Sequence, residues 1–425
     1  MTFIVTCIFT LLYFIRPFEV IDSLKDIPML FAVGIVAGIL LLIEVASGKV
    51  KLFRNGTDQM MLGFYCAIGL SHISHAYFGG AIQSMKDFFP VFIGYFLIAH
   101  SIDSDKKMKT FIAVLIICAA FLAGEGILEA SNGVSFFGVK PVSQGVETGI
   151  DGTYTIVSRI KWVGHFSDPN DLAMVFVVVV PFLMDYLLKR VSILPLCLLS
   201  LVIYGLYLTN SRGGIFSLLA AIFSYFILRY KSVKGLLIGL ICILLIIGIG
   251  PSRMGNISAS EESAYGRLES WYSGFQMFKR APLMGVGKGM YTDYNELTAH
   301  NSLVLVFSEL GFLGAFFFVG IFYFPIMYTY RAKFGKVWRD LDLNISESFN
   351  AIIGSLSGIM VSMLFLSRSY VLLPYMLVAL PMSLLLLNPV VSSYSQMSNY
   401  PHYKKIFMIT VAGIILVNIA IKVLL

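Results

Sequence analysis

Charged residues are scarce in this sequence. They make up 13% of its 425 residues, whereas 58% are hydrophobic and the mean hydropathy is +0.84. An ordinary soluble domain carries roughly a quarter charged residues, so a soluble enzyme is excluded. Because one crossing of the bilayer takes about 20 apolar residues, the hydrophobic content is enough for on the order of a dozen membrane helices.

Cysteine is also sparse, and its placement suggests no paired role. The five cysteines lie inside apolar segments, without the spacing of a zinc site or the loop positions of a disulfide framework. A Walker loop, a Rossmann glycine pattern and a CxxC pair are absent. His72 and His75 are three residues apart but have no acidic or thiolate ligand nearby. We therefore expect no metal site and no cofactor.

Long apolar runs dominate the sequence. They are longer and more continuous than the alternating strands of a membrane barrel, and only helices or closed barrels satisfy backbone groups in lipid. Thirteen runs lie near residues 2–15, 28–47, 60–78, 88–101, 110–129, 171–188, 192–209, 213–228, 235–250, 303–328, 348–367, 370–388 and 406–425. We predict one all-α, polytopic integral membrane domain over residues 1–425, with about 12–13 transmembrane helices and 14 as an alternative.

The net charge of +7 indicates membrane topology rather than a nucleic-acid partner. A nucleic-acid site needs basic residues clustered on one soluble face, whereas here they occupy every second short connection. The first of these connections holds Lys49 and Lys51, and the last holds Lys404 and Lys405. Because cytoplasmic loops carry the excess of Lys and Arg, we predict that two long connections, 130–170 and 251–299, face outward.

Two polar motifs stand at the outer ends of predicted helices. Asp168-Pro169-Asn170-Asp171 is a complete helix start, which either only caps the helix or also fixes His165 beside a reaction site. Arg212 follows Ser211 in a tight turn and precedes two glycines. An arginine at membrane depth costs about 2.5 kcal/mol or more unless it is paired, wetted or snorkelled. It either snorkels to the interface or binds a phosphate through its guanidinium fork.

The second long connection contains an amphipathic segment over Ala264–Arg280. Its apolar residues recur at helical spacing, and Arg267 and Trp271 are one turn apart on a shared face. This pattern predicts a helix lying on the membrane surface. Either the helix is a generic interfacial one, or Arg267 binds a head-group phosphate while the aromatic side packs on lipid or protein. Pro282, Gly285 and Gly287 then mark a sharp return towards the membrane.

A histidine stands at the mouth of the next membrane helix, in His300-Asn301-Ser302. An imidazole near neutral pKa can take a proton from a sugar hydroxyl, and the alternative is a helix-cap histidine without chemistry. Glu309 lies further along the same helix and is followed by Gly311. An ionisable residue within the membrane is a functional candidate unless it has a structural partner, for which Arg368 is the obvious choice.

The order and spacing of these motifs resemble the O-antigen ligase and O-antigen polymerase family of bacterial membrane glycosyltransferases. The resemblance covers residues 160–325, and the remaining segments match only as hydrophobic spans. It implies about twelve membrane helices and a metal-independent reaction in surface polysaccharide, lipopolysaccharide or exopolysaccharide biosynthesis. The site would face the periplasm or cell exterior from the bacterial cytoplasmic membrane, and the donor would be a glycan on a polyprenyl diphosphate.

The resemblance also implies roles for individual residues. Arg212 and Arg267 would bind the diphosphate and stabilise charge on the leaving group, while His300 would orient or deprotonate the acceptor hydroxyl. Lys86, at the outer end of the fourth predicted helix, would be a further cation. The full set of expected substrate-binding residues is Lys86, Asn301, Trp271, His165 and Glu309.

The acceptor stays open between a lipid core, another lipid-linked repeat unit and a protein hydroxyl. Neither long loop carries a recognisable protein-binding element, which slightly favours a polymerase. The alternative from another class is a polysaccharide flippase or other transporter. Transporters usually place charges at the bilayer midplane and show paired repeats, whereas here the charges gather at helix mouths. A structural scaffold is a third alternative, and it would tolerate Arg212→Ala and His300→Ala.

Overall fold

The computed structural model describes residues 1–25, 27–53, 55–148, 154–230, 234–241, 262–334, 343–387 and 400–425. Its helices are α1 (Thr2–Ile15), α2 (Pro17–Val20), α3 (Met29–Ala46), α4 (Gly56–Ile73), α5 (Phe78–Ser101), α6 (Asp105–Asn132), α7 (Pro169–Lys189), α8 (Ile193–Leu208), α9 (Arg212–Tyr230), α10 (234–241), α11 (Glu262–Arg280), α12 (Tyr291–Tyr294), α13 (Ser302–Phe334), α14 (Leu343–Phe365), α15 (Leu372–Leu387) and α16 (Tyr400–Leu424). Short 3₁₀ turns lie at Asp22–Leu24 and Gly164–Phe166.

The prediction of an all-α polytopic membrane protein is confirmed. Among the described residues, seven helices are long and apolar enough to cross a membrane, and three further apolar helices are shorter. The described parts of the predicted apolar runs lie on helices, and residues 242–250 of the ninth run lie outside the described residues. The clearest differences are at α4, which ends at Ile73 although its run extends to residue 78, and at α5. That helix begins at Phe78, ten residues before the apolar run, because its first turns carry polar side chains that an apolar pattern does not reveal. The total number of spans stays a prediction.

The first long connection contains a small β-hairpin that the apolar pattern did not predict. Strand β1 (Val142–Thr148) pairs antiparallel with β2 (Tyr154–Arg159), so that Val142 lies opposite Arg159. The β-branched residues of β2 favour a strand. The hairpin ends shortly before α7 and thereby brings Arg159 to the helix start. In the second long connection, residues 251–261 lie outside the described residues.

Contacts near the helix ends show which segments lie at each of the two ends of the bundle. At one end, the indole N–H of Trp162 donates to the carbonyl of Ile15 at 3.1 Å, and the amide of Arg368 donates to the hydroxyl of Ser302 at 2.9 Å. At the other end, His100 lies 3.0 Å from Asp58. We call these the His300 end and the opposite end. The described parts of the two long connections meet at the His300 end, and their outward orientation stays a prediction.

Small residues allow α14 to pack closely against α7 and α9 in the centre of the bundle. A Cβ added to Gly358 would lie 2.9 Å from side chains of both neighbouring helices. Ser355 donates its hydroxyl proton to the carbonyl of Val178 at 2.6 Å, and the hydroxyls of Ser362 and Ser217 are 2.7 Å apart. Such close small-residue contacts hold membrane helices together, and here they join α7 and α9 to α14.

Helix α13 is broken at Gly311, whose φ of 64° is non-helical. A break inside the membrane leaves backbone groups without intrahelical partners, and these must be satisfied elsewhere. The segment 282–287 supplies the partners. Phe312 donates its N–H to the carbonyl of Pro282 at 2.8 Å, and Gly287 donates to the carbonyl of Glu309 at 2.9 Å. The predicted return at Pro282, Gly285 and Gly287 therefore satisfies backbone groups at the break of α13 by hydrogen bonds.

Candidate active site

The start of α7 is built as the sequence predicts. Asp168 is the N-cap, and its carboxylate accepts the backbone N–H of Asn170 at 2.8 Å while Pro169 occupies the first turn. The side-chain oxygen of Asn170 accepts hydrogen bonds from Ser211 at 2.7 Å and from Arg159 at 3.0 Å. These bonds connect the start of α7 to the turn before α9.

Arg159 holds that turn from a second direction and was not predicted as a site residue. It is buried, and its Nε donates to the carbonyl of Thr209 at 2.7 Å. Ser211 accepts the N–H of Gly214 at 3.0 Å and so caps the first turn of α9. Asn210 takes a left-handed φ of 48°. The backbone that carries Arg212, the first residue of α9, is therefore rigidly placed at the His300 end.

Arg368 forms a bidentate ion pair with Asp171, because its Nε and Nη2 each meet one carboxylate oxygen. This pair contradicts the expectation that Arg368 is the structural partner of Glu309. The side chain of Asp171 is 4% exposed and that of Arg368 is 27% exposed. A fork-to-carboxylate geometry gives this pair fixed orientation as well as attraction. It joins α7 to the connection between α14 and α15.

His300 lies directly before α13 in a left-handed conformation with φ of 49°. A residue with a side chain rarely adopts this conformation, and such strain is held in place by the structure around it. Asn301 supplies that support as the cap of α13. Its side-chain oxygen accepts the N–H of Leu303 at 2.9 Å and of Val304 at 3.1 Å, and its amide donates to the carbonyl of Leu364 at 3.3 Å.

Several of the sequence motifs converge electrostatically on His300. Burial is the largest cause that lowers the pKa of its imidazole below the usual range, and the positive charges of Arg267 and Arg368 act in the same direction, while Asp168 opposes them. These charges come from α11, from the α14–α15 connection and from the start of α7. A lowered pKa keeps the imidazole neutral near pH 7 and able to accept a proton.

Arg267 is carried by α11, which forms a helix over the predicted amphipathic segment, while its position on the membrane surface stays a prediction. Its apolar face packs on protein, because the ring of Phe278 lies 5.4 Å from that of Phe307 and Ser308 donates to the carbonyl of Gly274 at 2.9 Å. Trp271 is half-buried against the same core. Its indole nitrogen is buried and has no hydrogen-bond partner within the described ranges. The packing of α11 on α13 brings Arg267 into electrostatic reach of His300.

The turns of α9 and α13 are linked through the end of α14. A Cβ on Gly213, next to Arg212, would lie 3.4 Å from the side chain of Phe365. Asn301, next to His300, is bonded to the adjacent Leu364. Arg212 and His300 therefore flank the same end of one helix.

His165 lies at the same end, with its ring centroid 5.9 Å from that of Tyr13. Desolvation by the surrounding protein, followed by the charges of Arg16 and Arg368, lowers its pKa to about 4. Arg16 was not predicted as a site residue, although it joins α1 to α2 with a left-handed φ of 52° and is buried. Its Nε donates to Glu19 at 2.8 Å, and its guanidinium adds positive charge beside His165.

Glu309 is buried and lies apart from the ion pair, in a second polar cluster at the break of α13. Its carboxylate accepts the N–H of Tyr291 at 3.2 Å. The charges of Glu309 and Asp87 both act on Lys288, whose pKa is lowered chiefly by burial. The ammonium of Lys288 is 3.8 Å from Asp87 and 5.3 Å from the ring centroid of Tyr370. We call Glu309, Lys288, Asp87 and Tyr370 the Lys288 cluster.

Lys86 was expected at the outer end of its helix, but α5 begins at Phe78, so Lys86 lies two turns inside the helix. Its side chain is exposed. The buried cation near this point is Lys288, whose isolated position in a glycine-rich loop gave no sequence signal. His72 and His75 hold that loop, since their Nε2 atoms lie 3.0 Å from the carbonyl of Lys288 and 2.9 Å from that of Gly285. The described part of the chain contains no group of three potential metal ligands.

The fold and the site define a membrane-embedded protein whose described residues bring arginines and a histidine of lowered pKa together at one end of a helical bundle. The family model of the O-antigen ligase matches residues 195–319. The resemblance seen in the motifs is thereby confirmed, and the match supports a glycan-transfer role in surface polysaccharide biosynthesis. It includes Arg212, Arg267, Trp271, His300, Asn301 and Glu309. A search of curated proteins found no match.

Proposed function

We propose that this protein transfers a glycan from polyprenyl diphosphate to a hydroxyl acceptor at the outer face of the bacterial cytoplasmic membrane. The observation that carries the proposal is the convergence of Arg267 and Arg368 on His300, in a chain whose segment 195–319 matches the O-antigen ligase family. The outer orientation rests on the basic connections, whose described residues include Lys107 beside Ser101 and Lys189 beside Asp185 at the opposite end of the bundle.

The donor side of the reaction uses the arginines. The bond between the anomeric carbon and the phosphate oxygen breaks, and the electron pair leaves with the diphosphate. Arg212 and Arg267 bind the diphosphate and stabilise this charge, which is the dominant need when the leaving group is anionic. Because fixed guanidinium groups supply the positive charge, the proposed reaction requires no metal ion and no cofactor.

The acceptor side uses His300. The acceptor hydroxyl oxygen forms the new bond to the anomeric carbon, and its proton passes to a neutral imidazole nitrogen of His300. The lowered pKa keeps that nitrogen unprotonated near pH 7. Asn301 has its side chain occupied as a helix cap, and we propose that it acts by holding His300 in its left-handed conformation.

The remaining predicted substrate residues fall into two positions. Trp271 shares the face of α11 with Arg267, and we propose that its unpartnered indole N–H donates to the donor. His165 lies beside Tyr13 and within the electrostatic influence of Arg368, and we propose that it contacts the acceptor. Glu309 and Lys86 lie away from His300, and we propose that Glu309 acts on the loop 282–291 rather than on the sugar.

The acceptor is proposed to be another lipid-linked repeat unit, which makes the protein a polymerase. The first long connection holds a two-stranded hairpin in its described residues, and no element for binding a protein acceptor is evident there. A lipid core or a protein hydroxyl as acceptor would call for the same donor residues. The product therefore distinguishes these cases.

The test is glycan transfer by purified protein in detergent, with a lipid-linked donor and without an ion gradient. Arg267→Ala and His300→Ala should each lower the rate at least about a hundredfold, since one lost contact to developing charge is worth roughly 3 kcal/mol. Arg280→Ala is the control for Arg267, because Arg280 is exposed on the same helix and stacks near Tyr294. His402→Ala, at the opposite end, is the control for His300.

Glycans from a deletion strain complemented with each variant identify the product. Single repeat units without long chains indicate a polymerase, and long chains held on the lipid carrier indicate a ligase. Wild-type transfer by either site variant at normal expression would refute the assignment. A wild-type protein that moves glycan across vesicles only with an ion gradient, and joins none, would indicate a transporter.

A further inference from the structure

A long apolar groove runs along α13 between α14 and α16. Its volume is about 560 Å³. The lining includes Leu303, Phe318 and Ile326 from α13, Met360 and Met363 from α14, and Ile409 from α16. Several of these side chains face outward, since Ile326, Met360 and Ile409 are exposed. The groove therefore opens on the side of the bundle that lipid would surround.

One end of the groove is continuous with the candidate active site. Ser302, at this end, accepts the backbone N–H of Arg368 and directly follows Asn301. Leu364, another lining residue, accepts the side-chain amide of Asn301. The groove thus begins within two residues of His300.

The other end of the groove reaches Tyr330, close to the opposite end of the bundle. The part of α13 beyond its break, from Phe312 to Tyr330, includes Pro325 and rises at most roughly 27 Å at 1.5 Å per residue. This length is close to the hydrocarbon thickness of a bilayer, about 30 Å. The groove therefore follows the depth of the membrane rather than crossing its surface.

We propose that this groove holds the polyprenyl tail of the lipid-linked glycan, and this inference rests on the proposed function. A diphosphate bound beside His300 must send its tail into apolar space, and the groove offers apolar space that begins there. Three methionines line it, namely Met327, Met360 and Met363. Unbranched and polarizable methionine side chains adapt to an irregular chain, as the branched, unsaturated tail requires.

The first experiment locates the tail without using activity. The full-length protein in nanodiscs is photolabelled with a long-chain polyprenyl phosphate that carries a diazirine near the end of its chain. Labelled peptides should come from α13, α14 and α16, and excess unlabelled polyprenyl diphosphate should remove the label. Label on other helices would overturn the proposal. Equal displacement by phosphatidylglycerol would also overturn it, because the groove would then hold any lipid.

The second experiment fills the groove. Met360→Trp and Ile326→Trp place a larger side chain in it, and Ile203→Trp is the matched control on α8, since Met360 and Ile203 are both 37% exposed. Transfer is measured with a long-chain donor and with a donor on a short, water-soluble prenyl chain. The ratio of long-chain to short-chain kcat/KM should fall more than about tenfold in the groove variants, since each buried methylene adds to binding. The control ratio should equal that of wild type.

The two proposals fail in different ways. If wild-type protein transfers no glycan from either donor but the photolabel maps to the groove and polyprenyl diphosphate displaces it, the proposed function fails and the tail site stands. If transfer occurs and the groove variants keep the wild-type ratio, the tail site is refuted while the proposed function stands.

Discussion

Arg368 meets both carboxylate oxygens of Asp171 with two nitrogens of its guanidinium group, and its own backbone N–H donates to Ser302. The pair therefore joins three pieces of chain that are far apart in sequence: the first turn of α7, the α14–α15 connection and the first turn of α13. His300 lies two residues before Ser302. Both partners of the ion pair lie outside the residues matched to the O-antigen ligase family, and the charge of Arg368 acts on His300.

Breaking this pair on one side should destabilise the protein more than removing both partners. Asp171→Leu leaves a mostly buried guanidinium unpaired, and Arg368→Met leaves a buried carboxylate unpaired, whereas the double variant leaves neither. We expect each single variant to lower the thermal unfolding midpoint in detergent. A double-mutant cycle should give a coupling of about 1–3 kcal/mol. Additive effects would show that Asp171 and Arg368 have no coupling free energy, which would contradict a stabilising pair.

The acid limb of the pH–rate profile should report His300. Its pKa is lowered from the usual value of 6.5 by burial and by Arg267. Because the neutral imidazole is the active form, kcat/KM should stay constant from pH 8 down to 6.5 and fall only below it. Arg368→Gln removes one positive charge near the ring and should move the limb upward. An acid limb above pH 6.5 in the wild type would contradict the proposed base.

His165 should make the folded state less stable at acid pH. Its pKa is lowered to about 4 in the fold, while in the unfolded chain it is near 6.5. As the pH falls below 6.5, the unfolded state binds a proton that the folded state does not, so stability is lost until about pH 4. The unfolding midpoint of His165→Asn should therefore change less between pH 7 and pH 4. Identical pH dependence in both proteins would show that His165 does not titrate in this way.

Gly311 should be intolerant of a side chain. Its φ is 64°, and a Cβ there would lie 2.4 Å from the backbone of Leu283. Gly311→Ala must therefore separate the segment 282–287 from the broken helix and expose the backbone groups that it satisfies. We expect a loss of folded protein in size-exclusion chromatography, or a free energy of unfolding that is lower by more than about 2 kcal/mol.

The control for Gly311→Ala is Gly124→Ala. Gly124 lies inside α6, and a Cβ there meets nothing within 4 Å. Alanine at a helical position open to it is neutral or stabilises by up to about 1 kcal/mol. If both variants behave alike, the break of α13 does not depend on the glycine.

Local patterns were enough to predict several elements of the site. The cap at Asp168, the helix that carries Arg267 and the return at Gly285 and Gly287 each depend on residues within a few positions of one another. Caps, amphipathic spacing and positive-φ glycines are local effects. The match over residues 195–319 covers the same part of the chain.

Contacts between distant segments could not be predicted in this way. Arg368 was expected to pair with Glu309, but the packing of α14 and α15 brings it to Asp171 instead. Arg16 and Arg159 join the site from α1 and from a hairpin that an apolar pattern does not reveal. Lys288 becomes a buried cation only because its loop runs beside the broken α13.

The sequence by itself determined that this chain is a helical membrane protein, which connections carry the basic residues, and where the motifs of the candidate site begin, because hydropathy, charge pattern and capping act over short stretches of chain. The tertiary structure alone decided which charges meet. Ion pairs, the hydrogen bonds at the break of α13 and the groove beside His300 depend on segments that are far apart in sequence, in some cases by nearly two hundred residues. Their partners are chosen by how whole helices pack, because that packing decides which backbone and charged groups must be satisfied away from water.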